Sequence, residues 1–148
     1  MLTTKDIENF MKNKNIFKGV YPINHLPLIL LPKPSGIIVN LDESWKEGSH
    51  WVAIYLPKNE SAYYFDSFGR LPPDNIITFM ERNNKSWSYN MEKYQGDLST
   101  LCGFYCIAFL HFAPNFEKFH QIIYPCNYIQ NDKEIVKYIE KTLYNRGT

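Results

Sequence analysis

The sequence lacks a strong charge of either sign. Among its 148 residues, 16 are Lys or Arg and 15 are Asp or Glu, which leaves a formal net charge of +1. A protein this close to neutrality has no large electrostatic field that would hold it on nucleic acid or on an anionic membrane. We therefore expect no strong nucleic-acid binding.

Long apolar runs and a secretory leader are missing as well. The N-terminal residues MLTTKDIENF contain no apolar core of a signal peptide. The longest apolar stretches are Leu26–Leu31 and Cys102–Leu110, and both are much shorter than the roughly 20 residues of a membrane span. These features favour a soluble intracellular protein that is neither secreted nor attached to a membrane.

Cysteine is scarce, with three residues in the chain. An odd number of cysteines without a secretory signal argues against a disulfide framework and for reduced thiols. The sequence also has no linker, internal repeat or low-complexity segment. With 45% hydrophobic residues, we expect a single globular domain over residues 1–148, and we assign it no metal ion or cofactor.

The apolar patterns predict an α+β fold with an antiparallel-biased mixed sheet packed on a central helix. The helix at 102–112 is apolar on every side, as expected for the centre of a domain. The strands at 50–56 and 61–67 would pair as a hairpin. The other predicted elements are a helix from Thr3 or Thr4 to about Lys14, irregular extended structure over the proline-rich 15–35, strands at 36–41 and 87–95, and helices at 74–83, 115–124 and 131–145.

Cys102 is the first candidate for chemistry. It follows Ser99 and Thr100, both good N-cap residues, so it would lie in the first turn of the central helix. Unpaired backbone N–H groups and the helix dipole would favour a thiolate there. A cysteine in an apolar helix can equally be a core residue, and Cys106, one turn later, fits that alternative better. Cys126 has no context that indicates a role.

A nucleophilic cysteine needs a base, and His50 is the best candidate among four histidines. It opens a strand after a Gly48-Ser49 loop, so its ring can project from the edge of the sheet. Asp66 lies at the end of the next strand, where it could orient that ring. An Asp at a strand exit can also be a simple turn former, and each of these signals is weak alone.

Together the residues resemble a known family. The segments GSHWVAIYL, YYFDSFG and Gln95-GDLSTLCGFYC are similar to the signature regions of the adenovirus-type maturation proteases, whose superfamily includes the SUMO- and Nedd8-specific proteases. The likeness covers roughly residues 10–112. It implies a papain-like arrangement with a permuted order, in which His, acid and Gln precede the Cys. The adenovirus enzyme is strongly basic and is stimulated by DNA and a disulfide-linked peptide, whereas this chain is near neutral and Cys126 does not match the peptide-linking cysteine.

The resemblance implies a role for each motif residue. Cys102 would attack the scissile carbonyl, and His50 would hold the thiolate as an ion pair and later protonate the leaving amine. Asp66 would orient the imidazole. Gln95 would donate a side-chain N–H to the oxyanion, together with the backbone N–H of Cys102.

Three further residues are assigned to substrate binding, namely Trp51, Gly48 and Gly103. By the same resemblance, Trp51 would cover a narrow channel that admits only glycine-like residues before the cleaved bond. An aromatic strand residue in the core is an equally open interpretation of Trp51.

Several functions remain open. We expect a monomeric cysteine endopeptidase of a virus or virus-like mobile element that processes capsid or other structural precursors after small, Gly-rich motifs, in the virion and at the assembly site or in the host cytoplasm. The segments Phe17-Lys-Gly-Val-Tyr, Leu26-Pro27 and Ile38-Val-Asn40 resemble viral members and favour that choice. The alternatives are an isopeptidase that removes ubiquitin-like modifiers, an acetyltransferase on a related fold, and a catalytically silent binding module.

Overall fold

The computed structural model describes residues 2–42 and 50–144, with the backbone alone at 143–144. Those residues form five strands and five α-helices, followed by a π-helical turn at Glu140–Tyr144. In chain order the elements are α1 Thr4–Met11, β1 Phe17–Pro22, β2 Ser35–Asn40, β3 Trp51–Leu56, β4 Ala62–Phe65, α2 Asp74–Asn84, β5 Trp87–Tyr89, α3 Cys102–Phe112, α4 Phe116–His120 and α5 Tyr128–Ile139.

The strands form one mixed sheet in the order β1-β2-β3-β4-β5. The inner pairs β2–β3 and β3–β4 are antiparallel, and the edge pairs β1–β2 and β4–β5 are parallel. The expected α+β class and the hairpin between the second and third predicted strands are therefore confirmed.

Both faces of the sheet are covered by packed side chains. This explains why the sequence of β3 is apolar throughout. Alternate side chains point to opposite faces of a strand. Trp51, Ala53 and Tyr55 accordingly join the core cluster built around α3, whereas the side chains between them join a second cluster around α2. A strand buried on both faces reads as a continuous hydrophobic run. The helix α3 lies inside the first cluster, which explains its lack of a polar face.

The N-terminal part differs from the expectation in one element. The proline-rich region was expected to be irregular, but Phe17–Pro22 forms β1, with a register shift between Phe17 and Val20. Gly19 lies in that irregularity with φ +125°, a conformation that glycine adopts without steric cost. The expected cap of α1 is present, because Thr3 and Asp6 form a reciprocal capping box.

The start of α3 also requires a correction. Neither Ser99 nor Thr100 caps it, since the N-cap residue is Leu101 and it forms no side-chain cap hydrogen bond. Cys102 is therefore the first residue of the helix. Across residues 2–42 and 50–144, no helix combines the length and the apolar character needed to cross a membrane.

Candidate active site

The site lies where three elements meet at one edge of the sheet. His50 directly precedes β3 and Asp66 directly follows β4. Because these strands are antiparallel, with Ala53 opposite Phe65, the start of one adjoins the end of the other. Cys102 begins α3 at the same edge, and its Sγ accepts a hydrogen bond from the backbone N–H of Trp51 at 3.4 Å.

His50 and Asp66 are in direct contact. Nε2 of His50 lies 2.9 Å from Oδ1 of Asp66, and since a carboxylate only accepts, Nε2 carries the proton. The same oxygen accepts the backbone N–H of Phe68 at 2.8 Å. The side chain of Asp66 is 1% exposed and that of His50 is 12% exposed. This pair is therefore shielded from water, which strengthens its electrostatic attraction.

The pKa of His50 reflects this environment. Burial lowers it, but the hydrogen bonds to Asp66 and Cys102, and the attraction of their charges, outweigh burial and raise the pKa from 6.5 to about 9. Nδ1 of His50 is buried and has no well-aligned hydrogen bond within the described part of the chain. Within the described residues, one ring nitrogen is thus bonded to the carboxylate, and the other makes no bond that competes with Cys102.

The three cysteines occupy different environments. Cys102 is 3% exposed at the first position of α3. Cys106 is fully buried one turn later, and burial, followed by the nearby charges of Cys102 and Asp66, raises its pKa well above the usual value. Cys126 is exposed, and its backbone N–H donates to the carbonyl of Lys93 at 3.0 Å.

Gln95 is fully buried and its amide is engaged on both sides. Nε2 donates to the carbonyl of Ser99 at 2.9 Å and to its Oγ at 3.1 Å. Oε1 accepts the hydroxyl of Ser67. The Ser99 carbonyl only accepts, so this orientation of the amide is fixed. Donation to an oxyanion would require Gln95 to exchange a bond to Ser99 for one to the substrate.

The three residues assigned to substrate binding have different surroundings. Trp51 is 2% exposed and belongs to the α3 core cluster. A Cβ added at Gly103 would lie 3.0 Å from Cδ1 of Leu2 and 3.3 Å from Cδ1 of Trp51. Protein side chains therefore already fill the space beside Gly103 and next to Cys102. Gly48 lies outside the described residues.

Two features of the site were not expected from sequence. The ring of Phe68 packs on the imidazole of His50 with centroids 4.9 Å apart, and Ser67 and Ser99 hold the amide of Gln95. Phe68 and Ser67 belong to the YYFDSFG segment, so their place in the motif was a usable signal. The contact of Ser99 with Gln95 was missed because serine is a typical helix N-cap residue and was interpreted as one. In the part of the chain that the structure describes, no group of three or more His, Cys, Asp or Glu side chains could hold a metal ion.

The chain is similar in sequence to known viral proteases. The chain is 33% identical over 97 residues to a putative thiol protease of Acanthamoeba polyphaga mimivirus, a match that covers 58% of this chain and 32% of the relative. It is 40% identical over 50 residues to the SUMO-1 cysteine protease of African swine fever virus, covering 32% of this chain and 18% of the relative. These matches span about a third and under a fifth of the two relatives. No family model matches the chain.

A solved structure extends the likeness to the whole fold. The crystal structure of the African swine fever virus protease superposes with a TM-score of 0.60 at 20% identity, covering 93% of this chain and 65% of that chain. The fold matches that of the African swine fever virus protease. The similarity does not single out the adenovirus-type enzymes, because the relatives are thiol and SUMO-1 cysteine proteases of other viruses.

Proposed function

We propose that this chain is a cysteine endopeptidase of a virus or virus-like mobile element that cleaves structural precursor proteins, including capsid precursors. The observation that carries the proposal is the 2.9 Å contact between His50 and Asp66 next to Cys102 at the start of α3. The viral origin of the related thiol proteases supports it.

The proposed chemistry uses His50 in its protonated form. Its pKa of about 9 keeps the imidazole positive at neutral pH, and a positive imidazole beside the sulfur is the arrangement in which a cysteine acts as a thiolate. The thiolate attacks the scissile carbonyl carbon and forms a C–S bond. The imidazolium then gives its proton to the leaving amine, and water hydrolyses the acyl-enzyme with His50 as the base.

The oxyanion of the tetrahedral intermediate would be met by two donors. The backbone N–H of Cys102 lies at the first position of α3, where intrahelical acceptors are absent. Gln95 would supply the second donor after one of its bonds to Ser99 is exchanged. Such donors contribute most when they are fixed in a site that excludes water, and the burial of Gln95 provides that condition.

The substrate would carry small residues before the cleaved bond. Trp51 and Leu2 crowd the space around Gly103 beside the nucleophile, and glycine is the residue that best fits a narrow, extended slot. We therefore propose cleavage after Gly-rich motifs. We also propose that the protein acts as a monomer in the virion, at assembly sites or in the host cytoplasm. In a peptide library, replacing the glycine nearest the cut by Leu should lower kcat/KM, and Trp51→Phe should reduce that preference.

The test uses co-expressed precursors. The wild-type protein should cleave viral structural precursors, Cys102→Ala should not, and Cys106→Ala should still do so. Cys106 lies in the same helix and is equally buried, so it controls for loss of a core thiol. Identical cleavage by wild type and Cys102→Ala would contradict the proposal.

A second candidate is removal of a ubiquitin-like modifier, because one relative is named a SUMO-1 cysteine protease. The two functions share the chemistry and differ in the substrate. A SUMO-1 fusion offered alongside the precursors separates them. Faster turnover of the fusion, lost in Cys102→Ala, would favour the isopeptidase.

A further inference from the structure

The ends of two neighbouring strands lie side by side at the candidate active site. Asp66 directly follows β4 and Asn90 directly follows β5. These strands are parallel, with Tyr64 opposite Tyr89. Parallel strands end at the same edge of a sheet, so the residues after them adjoin although they are far apart in sequence.

The side chain of Asn90 takes the place of a strand partner for Asp66. Its Oδ1 accepts the backbone N–H of Asp66 at 3.0 Å, and its Nδ2 donates to the backbone carbonyl of Asp66 at 2.7 Å. The same nitrogen donates to the carbonyl of Glu92 at 2.9 Å. Asn90 is only 7% exposed, so these bonds have little competition from water.

The loop that carries Asn90 also presses against the turn that carries Asp66. The carbonyl of Asp66 accepts the N–H of Gly69 at 2.8 Å, which closes a turn. A Cβ at Gly69, whose φ is +72°, would lie 2.7 Å from the carbonyl oxygen of Met91 and 2.8 Å from that of Glu92. There is no space for a side chain between the two backbones, so the turn and the loop are packed directly against each other.

The same loop reaches Gln95. The carbonyl of Ser67 accepts the backbone N–H groups of Tyr94 at 2.9 Å and Gln95 at 3.1 Å. The hydroxyl of Ser67 donates to the side-chain oxygen of Gln95. Residues 90–95 therefore hold the candidate acid and the candidate oxyanion donor on one scaffold.

We propose that Asn90 is a positioning residue, whose amide holds Asp66 in contact with Nε2 of His50 and in a fixed relation to Gln95. This inference rests on the proposed proteolytic function. Asn90 itself touches none of the reacting atoms. It is suited to the task because a side-chain amide offers a donor and an acceptor together, as a backbone peptide does.

The test is the titration of His50, followed by NMR. The chain has four histidines, and the His50 signal is assigned by its loss in His50→Gln. Among the residues that the structure describes, the titratable groups that act on the ring are Asp66 and Cys102, and both raise its pKa. Asn90→Ala frees the backbone of Asp66 and loosens the carboxylate, so the pKa of His50 should fall from about 9 toward its ordinary value, by about one unit or more. Asn90→Ser, which can keep one of the bonds, should shift it less in the same direction.

The matched control is Asn83→Ala. Asn83 is also buried and accepts the N–H of Leu31 at 3.0 Å and donates to the carbonyl of Phe79 at 3.0 Å, but it lies in α2. Its loss should destabilise the protein comparably and leave the pKa of His50 unchanged. An unchanged pKa in both Asn90 variants would overturn the inference, as would an equal shift in Asn83→Ala.

The titration needs no turnover, so the two proposals fail separately. A protein that cleaves no substrate yet shows the Asn90-dependent shift would contradict the proposed function alone. An active protease whose His50 pKa is the same in the wild type and in the Asn90 variants would contradict the positioning role alone. If Asn90→Ala does not fold, Asn90→Ser decides between these outcomes.

Discussion

The first turn of α3 and its middle contain the same amino acid in two different situations. Cys102 stands at the helix start, beside His50 and under the backbone N–H of Trp51. Cys106 stands one turn later, surrounded by apolar core, where burial raises its pKa well above the usual value. Both are almost completely buried, so exposure does not distinguish them.

The difference lies in what each sulfur meets. At the helix start there are N–H groups without an intrahelical acceptor and the imidazole of His50, whose pKa is raised, whereas in the middle every backbone N–H already has its intrahelical acceptor. Reactivity of a cysteine follows from such partners. The helix position therefore separates the candidate nucleophile from a core residue more clearly than burial does.

The largest effect on activity should come from replacing each of the two cysteines by alanine in separate variants. Cys102→Ala should abolish proteolysis and preserve the fold, because the candidate nucleophile is lost and only a small group is removed. Cys106→Ala should retain turnover and lose roughly 1 kcal/mol of stability, since it leaves a small cavity. Progress curves on a precursor substrate and urea unfolding of both variants measure the two effects. Loss of activity in Cys106→Ala alone would reverse the assignment.

A smaller effect is expected at Gln95, the candidate oxyanion donor. Gln95→Ala should slow all substrates alike by roughly 10²–10³-fold, the usual loss for such a donor. The rate loss should appear in kcat, because the interaction forms only as the oxyanion develops. Gln130→Ala, on the exposed surface of α5, is the control and should be neutral. A Gln95→Ala variant with wild-type kcat would remove the donor from the mechanism.

The charge of His50 should be visible in the choice of alkylating agent. Below pH about 9 the imidazolium should attract anionic iodoacetate to Cys102. The rate of alkylation by iodoacetate should therefore be raised relative to the rate with neutral iodoacetamide. The ratio of the two rates should fall as the pH rises through about 9. Mass spectrometry of labelled peptides measures it, with the exposed Cys126 as the internal reference. A constant ratio at Cys102 from pH 6 to 10 would contradict a charged His50.

The same titration has a consequence for stability. The folded pKa of His50 lies above its ordinary value of 6.5, so its contribution is complete below about pH 6.5 and is lost as the pH rises through about 9. Urea unfolding should show this decline in the wild type, and Asp66→Asn should reduce it.

The smallest effect is expected from DNA. With a net charge of +1, few phosphates would be neutralised and few counterions released. Turnover should change little when duplex DNA is added at low salt. A many-fold rise that disappears with salt would reveal a local basic surface.

Much of the site was predictable because its signals are local. His50, Asp66 and Cys102 each lie at the end or start of an element whose apolar pattern was readable. The structure places His50 in contact with Asp66, and Cys102 near enough to raise the pKa of His50. The α+β class followed from the same patterns. Their catalytic roles stay a prediction until the variants are assayed.

The missed features depend on tertiary contacts. β1 lies in a proline-rich stretch, and only its pairing with β2 makes it a strand. Ser99 has the residue type of a cap but bonds to Gln95 and to the N–H of Leu101. Asn90 was counted as part of a longer strand, and its role depends on the end of β4, 24 residues earlier in the chain.

The shortness of β5 has a consequence for how the protein folds. Its three residues must join β4 in parallel, and this requires the crossover through α2 to close first. Non-local pairings of this kind form slowly, because the chain loses the entropy of loop closure before the stabilising contacts form. We expect Asp66 to gain its hydrogen bonds to Asn90 late in refolding, after the β3–β4 hairpin has formed. Recovery of iodoacetate-sensitive Cys102 should then lag behind the recovery of secondary structure.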